Sequence, residues 1–178
     1  MRIFAPMMEE QVVLVDQQDK QMGTMEKMEA HRKGLLHRAF SVFIFNSKGE
    51  LLLQQRARDK YHSAGKWTNT CCSHPRPGEK TADAALRRLN EEMGLQCKLE
   101  HRFSFLYQAD LENQLSEHEY DHVFFGYTDA LPILNPEEAI AFRYISIRAL
   151  SLELEQQPGE FTAWLKICFP KIMELKSV

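Results

Sequence analysis

Blocks of apolar residues that are separated by short polar segments predict strands in the first third of the chain. Residues 12–15 (Val-Val-Leu-Val) form a short apolar run, and residues 37–46 form a longer one. The longer run leads through Asn-Ser-Lys-Gly at 46–49 into Leu-Leu-Leu at 51–53. Two apolar runs with turn residues between them predict a β-hairpin.

The segments before and after this hairpin are predicted to be less regular. Gly23 is expected as a turn residue, and Thr24 as the N-cap of a short helix that reaches about His31. Residues 57–80 contain glycines and prolines that together predict a long loop. Ordered loops of this length are usually functional.

A helix is predicted from Thr81 to Gly94, because glycine is typical of the position that follows a helix. Apolar residues recur every three or four positions along it, as they do on the buried side of a helix. The predicted apolar stripe consists of Ala82, Ala85, Leu86, Leu89 and Met93.

The second half of the chain is predicted to contain three strands and a final helix. Pro158 should break the chain before a helix that contains Trp164, and Pro170 should kink or end this helix. Strands with helices on both sides along the chain predict an α/β sandwich with a mixed sheet. The strands are expected near residues 102–109, 119–128 and 142–147.

Composition restricts the class of protein. The chain has 178 residues, of which 44% are hydrophobic and 26% charged, as expected for a single globular domain spanning residues 1–178. The net charge of −3 favours neither nucleic acid nor an anionic membrane as a partner. No run reaches the roughly 18 apolar residues that a membrane span requires.

The cysteines predict a reducing compartment. Two adjacent thiols and two distant ones make a poor disulfide framework, and there is no secretory signal. A cytoplasmic location is therefore expected. The cysteines are Cys71, Cys72, Cys97 and Cys168.

One group of residues has the composition of a metal site. In a strand, residues two apart share a face, so Cys72 and His74 should point the same way. Glu117 and Glu119 should do so for the same reason. The residues adjacent to these in the chain should point away, namely Cys71, Ser73 and His118. The whole group is His31, His37, Cys72, His74, Glu117 and Glu119.

Imidazoles and carboxylates together suit Mn²⁺, Mg²⁺ or Zn²⁺. The alternative is that the histidines are ordinary surface residues and that residues 117–121 form a solvated edge. Four further histidines receive no role: His62, His101, His118 and His122.

A second group is basic and could bind phosphate oxygens, although each member could equally be a solvated surface charge. It consists of Lys27, Arg56, Lys60, Arg87 and Arg88.

The predicted helix also carries a motif. Glu79 and the stretch 87–95 (Arg-Arg-Leu-Asn-Glu-Glu-Met-Gly-Leu) resemble the Nudix box, in which a row of glutamates holds Mg²⁺ and activates water. Two positions depart from that motif. Ser73 stands where the box has Gly, and Arg88 stands where it has Glu.

These residues belong to a longer pattern that resembles the type I isopentenyl-diphosphate isomerases, which have a Nudix-type α/β/α fold without hydrolytic activity. The stretch at 67–75 (Trp-Thr-Asn-Thr-Cys-Cys-Ser-His-Pro) is the most specific part. That family commonly has Arg at the position of Arg88. The resemblance covers Val12 to Trp164, and the other matching stretches are residues 37–43, 51–56, 117–119 and 164–166.

The resemblance implies an enzyme that interconverts isopentenyl and dimethylallyl diphosphate through a tertiary carbocation. Cys72 and Glu119 would be the two proton-transfer groups, with a nearby cation increasing the thiolate fraction of Cys72. Tyr107 would assist, and Trp164 would lie over the isoprenoid tail. A tight Mn²⁺ (or Zn²⁺) would be held by His31, His37, His74, Glu117 and Glu119.

The resemblance also implies a diphosphate site. Mg²⁺ would arrive with the substrate and bind Glu92 and the carbonyl of Cys72. The diphosphate would contact Lys27, Arg56, Lys60 and Arg88.

Two positions depart from the isomerase pattern, because Ala64 and Ala163 stand where that family often has proline. Both substitutions should reduce local rigidity and leave the chemistry intact. A Nudix diphosphohydrolase and a non-catalytic metal-binding module remain as alternatives. The protein is expected to be a monomer or a homodimer.

Overall fold

The computed structural model describes residues 10–176, which form nine β-strands and four α-helices. The helices are α1 (Lys27–Lys33), α2 (Thr81–Met93), α3 (Ile147–Gln156) and α4 (Ala163–Lys176). The strands are β1 (Gln11–Val15), β2 (Gln21–Glu26), β3 (His37–Phe45), β4 (Leu51–Arg56), β5 (Trp67–Thr68), β6 (Cys71–Ser73), β7 (Leu99–Asp110), β8 (Ser116–Tyr127) and β9 (Ala139–Ile145).

Strand β3 is the centre of a single sheet. It pairs antiparallel with β1, β4 and β6, and parallel with β8 over its whole length. The remaining strands extend the sheet, with β2 on β1, β5 and β9 on β4, and β7 on β8. The predicted hairpin and mixed sheet are therefore confirmed.

Alternate residues of β3 enter two separate cores. Phe43 and Phe45 pack with α3 and α4 on one face of the sheet, whereas Val42 and Ile44 pack with α2 on the other. Burying each of these side chains contributes about 1.5–3 kcal/mol. Helices thus cover both faces of the sheet, which is the predicted α/β/α sandwich.

Helix α2 forms as predicted, but its buried side differs from the predicted stripe. Ala82 and Leu86 are exposed, and Ala84 is buried instead. Gly94 ends the helix with φ +62°, and a Cβ there would lie 2.8 Å from the carbonyl oxygen of Ile133. Glycine is required at this position by both backbone conformation and close packing.

The N-terminal predictions were wrong in detail. Gly23 and Thr24 lie inside β2, because the chain reverses earlier, where Asp16 accepts hydrogen bonds from the backbone of the following turn. Helix α1 starts at Lys27, and its N-cap is Glu26, whose carboxylate accepts from two backbone N–H groups. Pairing with β1 thus extends the strand past the predicted cap.

Four further details differ from the predictions. Helix α3 was not predicted, although Ser146 caps it. Pro170 does not end the final helix, which continues through this exposed residue to Lys176. The expected loop 57–80 includes β5 and β6, and the last strand begins at Ala139. No helix among residues 10–176 has the length and apolar character needed to cross a membrane.

Candidate active site

One pocket brings together most of the residues that the sequence pattern indicated. It contains about 600 Å³ of empty space, counting the part that is open to solvent, a size that suits a small ligand. His31 and His37 are fully buried and contact His74 at its wall. The predicted residues that line it are Lys27, Arg56, Lys60, Cys72, His74, Arg88, Glu92, Tyr107, Glu117, Glu119 and Trp164.

The sheet positions the first group of side chains. His37 begins β3 and lies in register with Glu119 on the adjacent β8, so both side chains leave the same face of the sheet. His74 directly follows β6, which pairs with the other edge of β3. His31 comes from α1. We call His31, His37, His74, Glu117 and Glu119 the His/Glu cluster.

Backbone carbonyls set the tautomers of two histidines in this cluster. The Nδ1–H of His31 donates to the carbonyl of Lys27 at 2.7 Å, and that of His37 donates to the carbonyl of Leu35 at 2.8 Å. The Nε2 atoms therefore carry the free lone pairs. Nε2 of His31 is buried without a hydrogen-bond partner.

These lone pairs converge with a carboxylate. Nε2 of His74 lies 3.2 Å from Nε2 of His37 and 3.0 Å from Oε1 of Glu119. The potential ligand atoms of His31, His37, His74 and Glu119 all lie within 4.8 Å of one another. Imidazoles and a carboxylate that face one small space fit a divalent transition-metal ion.

Tyr107 connects the two glutamates of the cluster. Its hydroxyl oxygen lies 2.8 Å from Glu117 and 2.6 Å from Glu119. Burial and the charge of Glu119 raise the pKa of Glu117 well above its usual range. Burial alone would also raise the pKa of Glu119, but the imidazoles of His37 and His74 lower it well below its usual range. The Tyr107 hydroxyl can donate to either carboxylate and so holds the two glutamates side by side.

The adjacent cysteines lie on different sides of the sheet. Cys71 is fully buried in the core against α2, whereas Cys72 is half-buried and lines the pocket. Burial raises the pKa of the Cys72 thiol well above its usual range, although Arg56 opposes this effect. The expected effect of a nearby cation is therefore present, but burial outweighs it. Ser73, which was expected to point away, also contributes to the lining.

Trp164 lies at the start of α4 and is almost fully buried. Its indole N–H donates to Oδ1 of Asn69 at 3.1 Å, which fixes the ring. The Arg56 guanidinium lies 5.2 Å from the ring centre, within the range of a cation–π contact. The indole is thus held at the pocket wall with an apolar surface beside charged groups.

Two basic side chains of the pocket, Arg88 and Lys60, are paired with carboxylates. Arg88 Nη2 lies 2.7 Å from Glu92 and 3.0 Å from Glu138, and its Nη1 lies 2.7 Å from Glu91. The other oxygen of Glu138 pairs with Lys60. Burial would raise the pKa of Glu138, but Lys60 and Arg88 lower it, so its carboxylate is ionised.

Two further cations have different surroundings. Lys27 pairs with Glu10 at 2.9 Å and lies over the ring of Tyr61. Arg87 does not line the pocket. It makes two parallel hydrogen bonds to Glu79, at 2.7 and 2.9 Å, and so attaches helix α2 to the loop before it.

Sequence reasoning found no role for His62 and did not consider Glu138, although both residues line the pocket. His62 is buried, and its Nε2 lies 3.4 Å from Oε1 of Glu117. Burial and the charge of Arg56 lower the pKa of His62 to about 2, so its imidazole is neutral. Both residues contact partners far away in the chain, and no local pattern indicates such contacts.

Comparisons with known proteins agree with the chemistry of the residues in the pocket. The NUDIX domain family matches residues 35–165. An isopentenyl-diphosphate Delta-isomerase of Pectobacterium atrosepticum is 55% identical over 91% of this chain and 90% of that protein. Isopentenyl-diphosphate Delta-isomerase 2 of Aromatoleum aromaticum is 48% identical over 96% of this chain and 90% of that protein.

A solved structure supports the fold independently. A protein of Deinococcus radiodurans superposes with a TM-score of 0.76 and covers 91% of this chain and 98% of its own. Its sequence identity is 22%, so this likeness concerns the fold alone.

Proposed function

The chain belongs to the isopentenyl-diphosphate Delta-isomerases of the Nudix family, and we propose that it interconverts isopentenyl and dimethylallyl diphosphate with Cys72 and Glu119 as proton-transfer groups. One observation carries the assignment of these two residues. A thiol, a carboxylate and an indole line the same pocket, and the basic side chains of that pocket suit a diphosphate.

The reaction requires two groups because one proton is added to the carbon skeleton and a different one is removed. An unactivated alkene is a weak base, so the donor must be held against it. The buried Cys72 thiol stays protonated, which suits a donor. Glu119 is ionised and accepts a hydrogen bond from Tyr107, which suits an acceptor whose proton can pass to a neighbouring group. In the reverse direction the two roles exchange.

Protonation of the alkene produces a tertiary carbocation, which the pocket must stabilise and shield. The π face of Trp164 can contribute about 2 kcal/mol when it is desolvated. The hydrogen bond to Asn69 fixes the indole in place before the substrate binds, so the reaction does not have to pay for ordering the ring. Binding of the remote diphosphate supplies the energy that positions the apolar end.

The His/Glu cluster would hold one ion, Mn²⁺, Zn²⁺ or Mg²⁺, and this ion would supply a fixed positive charge that positions Glu119. The cluster residues orient each other even without it, since carbonyl groups fix the rings of His31 and His37. Glu92, with the carbonyl of Cys72, would hold a Mg²⁺ that accompanies the diphosphate. Lys27, Arg56, Lys60 and Arg88 would bind the phosphate oxygens.

The test is to incubate the protein with isopentenyl diphosphate and Mg²⁺ and to follow both possible products. We expect dimethylallyl diphosphate in the proton NMR spectrum and no inorganic phosphate in the phosphorus spectrum. The reason is Arg88, which neutralises Glu92 where a hydrolase has a further carboxylate. Phosphate release at a rate comparable to isomerisation would favour a Nudix diphosphohydrolase instead.

A further inference from the structure

We propose that His62 is a sixth protein ligand of the ion in the His/Glu cluster, so that side chains fill every position of an octahedral ion. This inference rests on the proposed function, in which the five residues of the cluster hold that ion. It assigns a role to a buried histidine for which the sequence indicated none.

Two overlapping groups of potential ligands support this assignment. The ligand atoms of His31, His62 and Glu117 lie within 4.8 Å of one another, and the same holds for His31, His37, His74 and Glu119. His31 belongs to both groups. Glu117 belongs to the group that contains His62, with 3.4 Å between the carboxylate oxygen and the imidazole nitrogen. Because the two groups share His31, His62 and Glu117 lie next to the other donors of the cluster.

The orientation of the rings supports the same conclusion. His31 is completely buried, and its Nε2 has no hydrogen-bond partner. The His62 ring is stacked on the His31 ring, with 6.0 Å between centroids and 29° between planes. The Nδ1 atom of His62 faces the Ser63 hydroxyl at 3.4 Å, so its Nε2 is the atom directed towards Glu117.

The number and type of donors have a chemical consequence. Four imidazoles and two carboxylates suit a six-coordinate transition-metal ion better than Mg²⁺, which prefers oxygen ligands. A coordination position that the protein leaves open is normally filled by water. Water beside the reacting carbon would capture a tertiary carbocation, and excluding it prevents this side reaction. His62 would therefore protect the reaction by occupying the position that water would otherwise take.

The competing explanation is that His62 only donates a hydrogen bond to Glu117. The variant His62→Gln separates the two, since a glutamine amide can donate to Glu117 but is a poor ligand for a transition metal. The matched control is His118→Gln. His118 lies between Glu117 and Glu119 in sequence, but its ring donates to the carbonyl of Gly34, away from the pocket.

The experiment is pulsed electron paramagnetic resonance on the full chain loaded with Mn²⁺ in water enriched in oxygen-17. We expect four coordinated imidazole nitrogens and no coordinated water in the wild type. His62→Gln should show three nitrogens and one water, and His118→Gln should match the wild type. A coordinated water in the wild type, or an unchanged nitrogen count in His62→Gln, would overturn the inference.

Affinity and melting measurements keep the result interpretable. Competition with a chelator should show a loss of Mn²⁺ affinity in His62→Gln beyond the roughly 10–100-fold typical of outer-sphere partners. Equal melting temperatures of the metal-free proteins would show that the variant folds. If the wild type binds no Mn²⁺, the His/Glu cluster and the proposed function fail together. If it binds Mn²⁺ and isomerises while His62→Gln has the wild-type spectrum, only the role of His62 is wrong.

Discussion

The two ends of the pocket are in opposite electrostatic states. In the His/Glu cluster, imidazole nitrogens and carboxylate oxygens face one small space. At the basic end, Arg88 and Lys60 are already matched by Glu92 and Glu138. The first end is therefore arranged to bind a cation directly. At the second end, Arg88 and Lys60 can bind a diphosphate only if they exchange these carboxylates for phosphate oxygens.

This difference explains why two metal ions would behave differently. Burying a polar group without a partner costs free energy, and binding of an ion removes this cost. An ion in the His/Glu cluster should therefore be retained. At the basic end, a diphosphate that takes Arg88 and Lys60 would leave Glu92 and Glu138 without counter-ions. A Mg²⁺ that arrives with the diphosphate would neutralise them.

Cys72→Ser should remove nearly all turnover, by a factor of roughly 10²–10⁴, because serine is a far weaker acid than a thiol of the same shape. Its melting temperature should stay close to that of the wild type. The control, Cys71→Ser, places a hydroxyl in the core against α2 and should lower mainly the melting temperature. Equal losses of turnover in the two variants would show that the wrong thiol has been assigned.

Extensive dialysis should separate the two metal-binding events. About one ion per chain should stay with the His/Glu cluster, whereas Mg²⁺ should be lost and turnover should fall more than roughly tenfold until Mg²⁺ is restored. Elemental analysis and activity measured on the same sample provide the check. Active protein without any retained metal would contradict the contrast between the two ends.

Trp164→Leu should reduce turnover by about tenfold or more, since a cation–π contact of about 2 kcal/mol is lost. Trp164→Phe should retain part of the activity, because its ring keeps a weaker π face. The measurement is kcat for both variants, with melting temperatures as a check on folding. If both behave alike, the indole serves only as a pocket wall.

Glu138→Gln should have the smallest effect, and it concerns binding. Removing this negative charge frees Lys60 and leaves Arg88 with one carboxylate partner fewer. Inorganic diphosphate should therefore bind roughly tenfold more tightly without Mg²⁺, equivalent to about 1.4 kcal/mol. The dependence of binding on Mg²⁺ should weaken accordingly. Isothermal titration calorimetry with and without Mg²⁺ measures both quantities.

The control for this variant is Glu91→Gln. Glu91 also pairs with Arg88 but is exposed to solvent, where an ion pair contributes little. Its effect on diphosphate binding should therefore be slight. Equal effects at both positions would mean that total charge, and not the bridge between Lys60 and Arg88, controls binding.

Local patterns in the sequence were sufficient for the hairpin of β3 and β4, for helix α2 and for the types of residue in the pocket. These features depend on periodicity, on turn residues and on motifs, all of which are readable within a few positions. The period of two also separates Cys71 from Cys72, since adjacent residues of a strand enter opposite faces. Local patterns failed where long-range pairing competed with them, as at Gly23 and Thr24, which pairing with β1 draws into β2.

Tertiary structure alone decided which charges and lone pairs meet. Glu138 bridges Lys60 and Arg88 because the loop before β9 returns to α2, and His62 reaches Glu117 because both lie at the same wall of the pocket. Residues so far apart in the chain have no shared periodicity, so their contact follows only from how the sheet and helices pack. The sequence determined the chemistry that is available, and packing determined which groups are still without a partner.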